Sequence, residues 1–194
     1  MKKLKLFFII FFTSTLLSAQ NKDIELLRDI NLKRNVKYDK SFKFITNTVL
    51  PTGVGLPAGL FLTGVITNNK DTRNKGIETG CSFILASCLS TGLKVTVNRP
   101  RPYVTYPDIQ NIVHTGPYSF PSGHTTAAFA TATSLSLCYP KWYVIAPSFT
   151  WAFLSGYSRM HLGVHYPSDV LTGFVIGVGS AFVVHQGAKW IQKK

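Results

Sequence analysis

Two short stretches hold the side chains best suited to anion chemistry. One runs from Lys94 through Arg99-Pro100-Arg101-Pro102 to Pro121-Ser122-Gly123-His124, the other from Ser158-Arg159 through His161 and His165 to Asp169. Arginine offers planar, bidentate donors for phosphate, and lysine adds a point charge. Histidine can serve as a nitrogen nucleophile and as a proton carrier near neutral pH. Asp169 follows His165 by four residues and opens a helix behind Pro167-Ser168. A carboxylate there can hold one imidazole nitrogen and leave the other facing a substrate. Pro121-Ser122-Gly123 also reads as a helix start: Pro121 forces Phe120 into an extended approach and Ser122 is a good cap. Gly123 lets a ligand come close to the backbone, and free N–H groups at such a start bind phosphate oxygens.

Several polar residues compete for these roles. Arg99 and Arg101 are both followed by proline, and Arg99 reads as a loop residue or a lipid head-group contact. His161 competes with His165, but the position four beyond His161 is His165 rather than an acid. His114 reads as a surface residue of a Tyr- and Gly-rich loop, and His185 as lying near the far end of the last helix. Neither has a carboxylate nearby in sequence. Lys94 taken alone would be a base snorkelling from a helix end.

Taken together the residues match a spaced pattern. Lys-x6-Arg-Pro is present as Lys94 with Arg101-Pro102, Pro-Ser-Gly-His as Pro121 to His124, and Ser-Arg-x5-His-x3-Asp as Ser158, Arg159, His165 and Asp169. With eleven specified positions in order over residues 94–169, the chain resembles the type 2 phosphatidic acid phosphatase and haloperoxidase superfamily, in its membrane lipid phosphatase branch. The resemblance implies a metal-free phosphohistidine mechanism. In it His165 attacks phosphorus, Asp169 orients and charges His165, and His124 protonates the leaving oxygen and then activates water. Lys94, Arg101, Arg159, Ser122 and the Gly123 amide would hold the phosphate oxygens. No cofactor is expected, because no carboxylate, Cys or His cluster with metal spacing accompanies the pattern.

The elements that must position these residues are apolar. Bases outnumber acids 21 to 8 over 194 residues, a formal charge of +13, yet charged residues make up only 15% against roughly 25% in an average soluble protein. Such a chain is too apolar to be disordered, and its bases form no dense nucleic-acid patch. Scarce acids suit an anionic partner, a phosphate or a membrane surface. Lys2, Lys3 and Lys5 precede the apolar run Leu6 to Leu17, and Ser18-Ala19-Gln20 follows, so residues 1–19 read as a signal peptide or a retained N-terminal anchor. Residues 20–43, with seven bases and four acids, suit an amphipathic segment lying on a membrane face or on the domain.

Apolar stretches at about 44–67, 76–97, 122–140, 142–158 and 168–189 are each long enough to cross a bilayer. The expected fold is therefore all-α, a membrane-embedded bundle of five helices over 44–194. The basic connector 68–75 and the C-terminal lysines belong inside by the positive-inside rule, which places both site stretches outside. Pro51 and Pro57, with Gly53, Gly55 and Gly59, predict a kink or break in the first bundle helix. Cys81, Cys88 and Cys138 read as three buried thiols. Cys81 and Cys88 are two helical turns apart, roughly 10 Å, too far for a disulfide.

The expected substrate is a phosphorylated membrane lipid of the phosphatidate, phosphatidylglycerol phosphate, undecaprenyl diphosphate or lipid A type. The expected location is a bacterial inner membrane with the site facing the periplasm. Neither nucleic acid nor an obligate protein partner is implied. The alternatives are an exported soluble acid phosphatase, favoured by a mean hydropathy of only +0.15, and a non-catalytic phospholipid binder. A binder would not need His124, His165 and Asp169, and all three are present.

Overall fold

The computed structural model describes residues 21–192, so the signal or anchor expected over 1–19 lies outside the described residues. Helix α1 covers 21–32. A 3-10 turn, Val36–Tyr38, leads into α2 (Asp39–Asn47) and α3 (Val49–Ile66). Then come α4 (Lys70–Val97), the single turn α5 (Pro102–Thr105), α6 (Gly123–Cys138), α7 (Trp142–His161) and α8 (Pro167–Gln192). The five long helices α3, α4, α6, α7 and α8 form the bundle expected from sequence, and no strand occurs among the described residues.

Helix α6 runs through the middle, packed by α3, α4, α7 and α8. Small residues make this close contact: Ala127, Ala128, Ala130 and Ala132 are buried, with Phe129 wedged edge-on against Phe153 and Phe174. Two of its buried hydroxyls turn back on the chain: Thr126 Oγ1 donates to the Ser122 carbonyl and Thr131 Oγ1 to the Ala127 carbonyl, both at 2.9 Å.

Three segments are long and apolar enough to cross a membrane: Val36–Ile66, Lys70–Val97 and Pro167–Ile191. Five spans were expected; α6 and α7 do not qualify, and α6 is only 16 residues long. A helix surrounded by other helices need not be apolar all round, because its neighbours and not the lipid solvate it. The outer helices carry the apolar surface instead, with Val54, Leu62 and Ile66 of α3, Ile84 and Val95 of α4, and Leu171, Val175 and Val183 of α8 all exposed.

Boundaries differ from expectation in three places. The connector expected at 68–75 is instead Thr67, Asn68 and Asn69, because the Asn69 side chain accepts from the Thr72 amide and starts α4 there. The break in the first bundle helix falls at Thr48, ahead of Pro51, and α3 runs on with Pro57 inside it. Pro51 sits in the first turn, where its missing donor costs nothing. The segment boundary expected at residues 43 and 44 falls within α2. Of the three free cysteines only Cys138 is buried; Cys81 and Cys88 lie on the exposed face of α4.

Residues 21–43 dock on the bundle. Ile24 and Leu27 of α1 are buried against Ile109 and Tyr166. Asn31, fully buried, donates to the carbonyls of Gln110 and His161 and accepts from the Gln110 amide at 2.8 Å. This caps the end of the bundle where α4 and α7 finish and α6 and α8 begin.

Candidate active site

At that capped end lies a cleft of about 420 Å³, lined by Thr46, Asn47, Lys94, Arg101, residues 113–118, Gly123, His124, Arg159 and His165. Six of the eight residues singled out from sequence thus share one wall. Asp169 stands behind it, wholly buried. Ser122 is also buried, with its hydroxyl spent on the cap of α6: it contacts Thr125 Oγ1 at 2.8 Å and accepts from the Thr125 amide. Its own amide donates to the Asp169 carbonyl at 3.0 Å, which joins the starts of α6 and α8.

His165 sits in the loop between α7 and α8, 2% exposed. Arg101 Nη1 lies 3.0 Å from its Nε2, and Asp169 Oδ2 lies 3.4 Å from its Nδ1. A guanidinium has donors only, so Nε2 must carry the lone pair and Nδ1 the proton. Burial pushes the imidazole pKa down to about 3, against the upward pull of the Asp169 bond and with help from Arg101 and Arg159. The ring is neutral near pH 7, with its lone pair on the Nε2 that meets Arg101. His161, the competing candidate, points elsewhere: its Nε2 meets Asp39 Oδ1 at 2.8 Å and its ring packs on Phe42.

The cations of the cleft are held by neutral groups. Lys94 Nζ donates to the Pro121 carbonyl at 2.6 Å, and Arg101 to the carbonyls of Gly116 and Val164. Arg159 Nη1 donates to Thr46 Oγ1 at 2.7 Å, while its buried Nε has no partner among the described residues. The carboxylates Asp23 and Asp169 are paired with Arg99 instead. Buried charges are normally matched, so three cations converging without a carboxylate form a seat for an anion. Among the described residues no group of three or more His, Cys, Asp or Glu could hold a metal ion.

The structure also corrects the reading of Arg99, which lies on Asp169 Oδ1 at 2.7 Å rather than at a free loop surface. Thr46 and Asn47 carried no sequence signal, since their helix belongs to no pattern and reaches the cleft only through the fold. His114 was visible as a histidine, but only the path of the 113–118 loop brings it to the cleft.

Helices long and apolar enough to cross a membrane surround a central polar helix, with an anion seat beside a buried His–Asp pair at one end. The PAP2 superfamily profile matches residues 76–193, more than half of the chain, and the protein belongs to that superfamily. It is similar to the undecaprenyl-diphosphatase of Sulfolobus acidocaldarius, with 33% identity over 124 residues, 63% of this chain and 59% of that one. The chain therefore spans less than two thirds of that relative. Among solved structures, Aquifex aeolicus LpxE superposes with a TM-score of 0.70 at 31% identity, covering 84% of this chain and 94% of that one. The PAP2-type phosphatidylglycerolphosphate phosphatase of Bacillus subtilis does so with a TM-score of 0.74 at 27% identity, covering 97% and 96%.

Proposed function

We propose that the protein is a metal-independent phosphatase of a membrane lipid phosphate or diphosphate, working through a phosphohistidine. One observation carries this reading: two buried arginines and the half-buried Lys94, none with a carboxylate partner, surround a histidine whose unprotonated Nε2 accepts only from Arg101, itself one of those cations. The relatives named as lipid phosphatases support the substrate class, and the exposed apolar helices place such a substrate within reach.

Lys94, Arg101, Arg159 and the Gly123 amide hold the three non-bridging oxygens, where charge spreads as the phosphoryl group transfers. Binding draws Arg101 from His165 onto the phosphate and uncovers Nε2. The Nε2–P bond forms as the bond from phosphorus to the lipid oxygen breaks; His124, kept neutral in the empty cleft by burial and the three cations, takes up a proton when the anionic phosphate offsets those charges, and hands it to that oxygen. His124 then takes a proton from the water that cleaves the N–P bond, releasing phosphate and restoring both histidines. Ser122 serves by fixing the turn that presents Gly123 and His124. The site faces the exported side of the membrane, with residues 1–19 as signal or anchor and 44–194 as the phosphatase unit.

A labelled aryl phosphate tests this. Its acidic leaving group barely needs the proton of His124, so His124→Ala should form an acid-labile adduct and stall, while His165→Ala should form none. With an alkyl phosphate His124→Ala should lose about 10²–10⁴ in rate. An adduct that persists in His165→Ala and vanishes only on loss of His161 would overturn the assignment.

A further inference from the structure

Resting on that reading, we infer that Asp23 and Arg99 are positioning residues for the His165–Asp169 pair, so that α1 completes the active site from outside the region matched by the superfamily profile. Arg99 Nη1 donates to Asp169 Oδ1 and to Ser168 Oγ, both at 2.7 Å. Its Nη2 donates to Asp23 Oδ2 at 2.8 Å, and its guanidinium lies 3.7 Å over the Tyr166 ring. Asp23 then grips the start of α8, accepting from the Ser168 amide at 2.8 Å and from Ser168 Oγ at 2.5 Å. Arg99 does not line the cleft and so does not itself hold substrate.

The two oxygens of Asp169 are thereby divided. Oδ1 belongs to Arg99, while Oδ2 accepts from Ser119 Oγ, from the Tyr166 amide at 2.9 Å and from His165 Nδ1. The division fixes which way the carboxylate faces and hence which way Nε2 points.

Charge supplies the reason for a second acid. Arg99 beside Asp169 alone would leave a neutral pair behind a histidine that turns cationic when phosphorylated. Asp23 cancels Arg99, and one net negative charge remains for His165. The charges alternate along the line Asp23, Arg99, Asp169, His165, and in the phosphorylated state the four sum to zero. The two carboxylates also hold the Arg99 guanidinium above its ordinary pKa despite its burial, so the line stays charged throughout turnover.

The test uses the full chain purified in detergent and the rate of adduct formation from labelled aryl phosphate. Asp23→Asn keeps the shape and removes the charge; Arg99→Gln removes the link. Each should slow adduct formation about 10–100-fold, the usual scale for partners that orient a functional group, with KM changed less than about threefold. In an Asp169→Asn background neither should cost anything further, since the group they orient is already lost. Arg99→Lys should recover part of the rate. Thermal midpoints separate this from simple loosening of α1, which would lower the midpoint and leave the folded enzyme's rate unchanged. Rates within about threefold of wild type, or losses that multiply with that of Asp169→Asn, would overturn the inference alone. A wild-type enzyme that forms no adduct would remove the phosphohistidine reading and this inference with it.

Discussion

His165 owes its chemistry to its surroundings more than to its type. An exposed imidazole would be half protonated near pH 6.5 and would lose its nucleophilic lone pair below that. Burial pushes the pKa of His165 down to about 3, so its lone pair remains as the medium is acidified. The sign matters here: a depressed histidine pKa moves the acid limb of phosphorylation to lower pH, whereas an Asp169-dominated imidazole would move it up. For His124→Ala with an aryl phosphate, the second-order rate constant of adduct formation should stay level from pH 7 to about 5 once the substrate's own ionisation is allowed for. That constant reports groups of the free enzyme. A tenfold fall per pH unit below 6.5 would show that His165 titrates as an ordinary histidine.

At the scale of elements, the site depends on how closely α6 and α8 approach, because one opens at His124 and the other at Asp169. Two glycines of α8 set the approach. A Cβ at Gly177 would lie 2.5 Å from the Thr126 carbonyl oxygen and 2.9 Å from the Ala130 nitrogen; one at Gly173 would lie 2.8 Å from the Ser122 carbonyl oxygen. These neighbours are backbone and cannot swing aside. Gly179 on the same helix has nothing within 4 Å. Gly177→Ala should therefore cost about 1–3 kcal/mol, the scale of overpacking, while Gly179→Ala should gain up to about 1 kcal/mol from helix propensity. Gly173→Ala should also lower turnover, because it presses on the turn that carries Gly123 and His124. Thermal unfolding in detergent and turnover of the folded variants measure both; equal effects at 177 and 179 would overturn the packing account. The five long helices were legible in sequence from local apolar runs, and the grouping of Lys94, Arg101, His124, Arg159 and His165 was implied by the resemblance of three short motifs spread over residues 94–169. The roles of Asp23, Arg99 and Thr46 were not. Asp23 and Thr46 act across 145 and 113 residues, on Ser168 and Arg159, a distance over which no periodicity operates. The hydroxyl-rich α6 read as a weak membrane span because hydropathy counts residues and is blind to which helix stands in the centre.

For the whole molecule, the distribution of bases and the direction of the helices make a sidedness testable. Helix α4 runs from Lys70 to Lys94 near its end at the cleft, and α8 runs from Asp169 at the cleft to Lys189. The two are tied at the end remote from the cleft by the His185–Glu78 pair at 2.6 Å. At 28 residues for α4 and 26 for α8 they are roughly 42 and 39 Å long, enough to carry the remote end through a hydrocarbon core of about 30 Å. Lys70, Arg73, Lys75 and Lys189 gather at that remote end, which the positive-inside rule assigns to the cytoplasm. The bases of residues 21–43 lie at the cleft end and oppose the rule, but several are matched locally: Arg28 with Asp108, Lys33 with Asp29 and Arg34 with Asp39. The cleft should therefore face the exported side. In a chain with Cys81, Cys88 and Cys138 replaced, a single cysteine at exposed Asn111 should react with a membrane-impermeant maleimide on intact spheroplasts, and one at Lys70 only after lysis. The reverse pattern would turn the site toward the cytoplasm and exclude a substrate presented from outside.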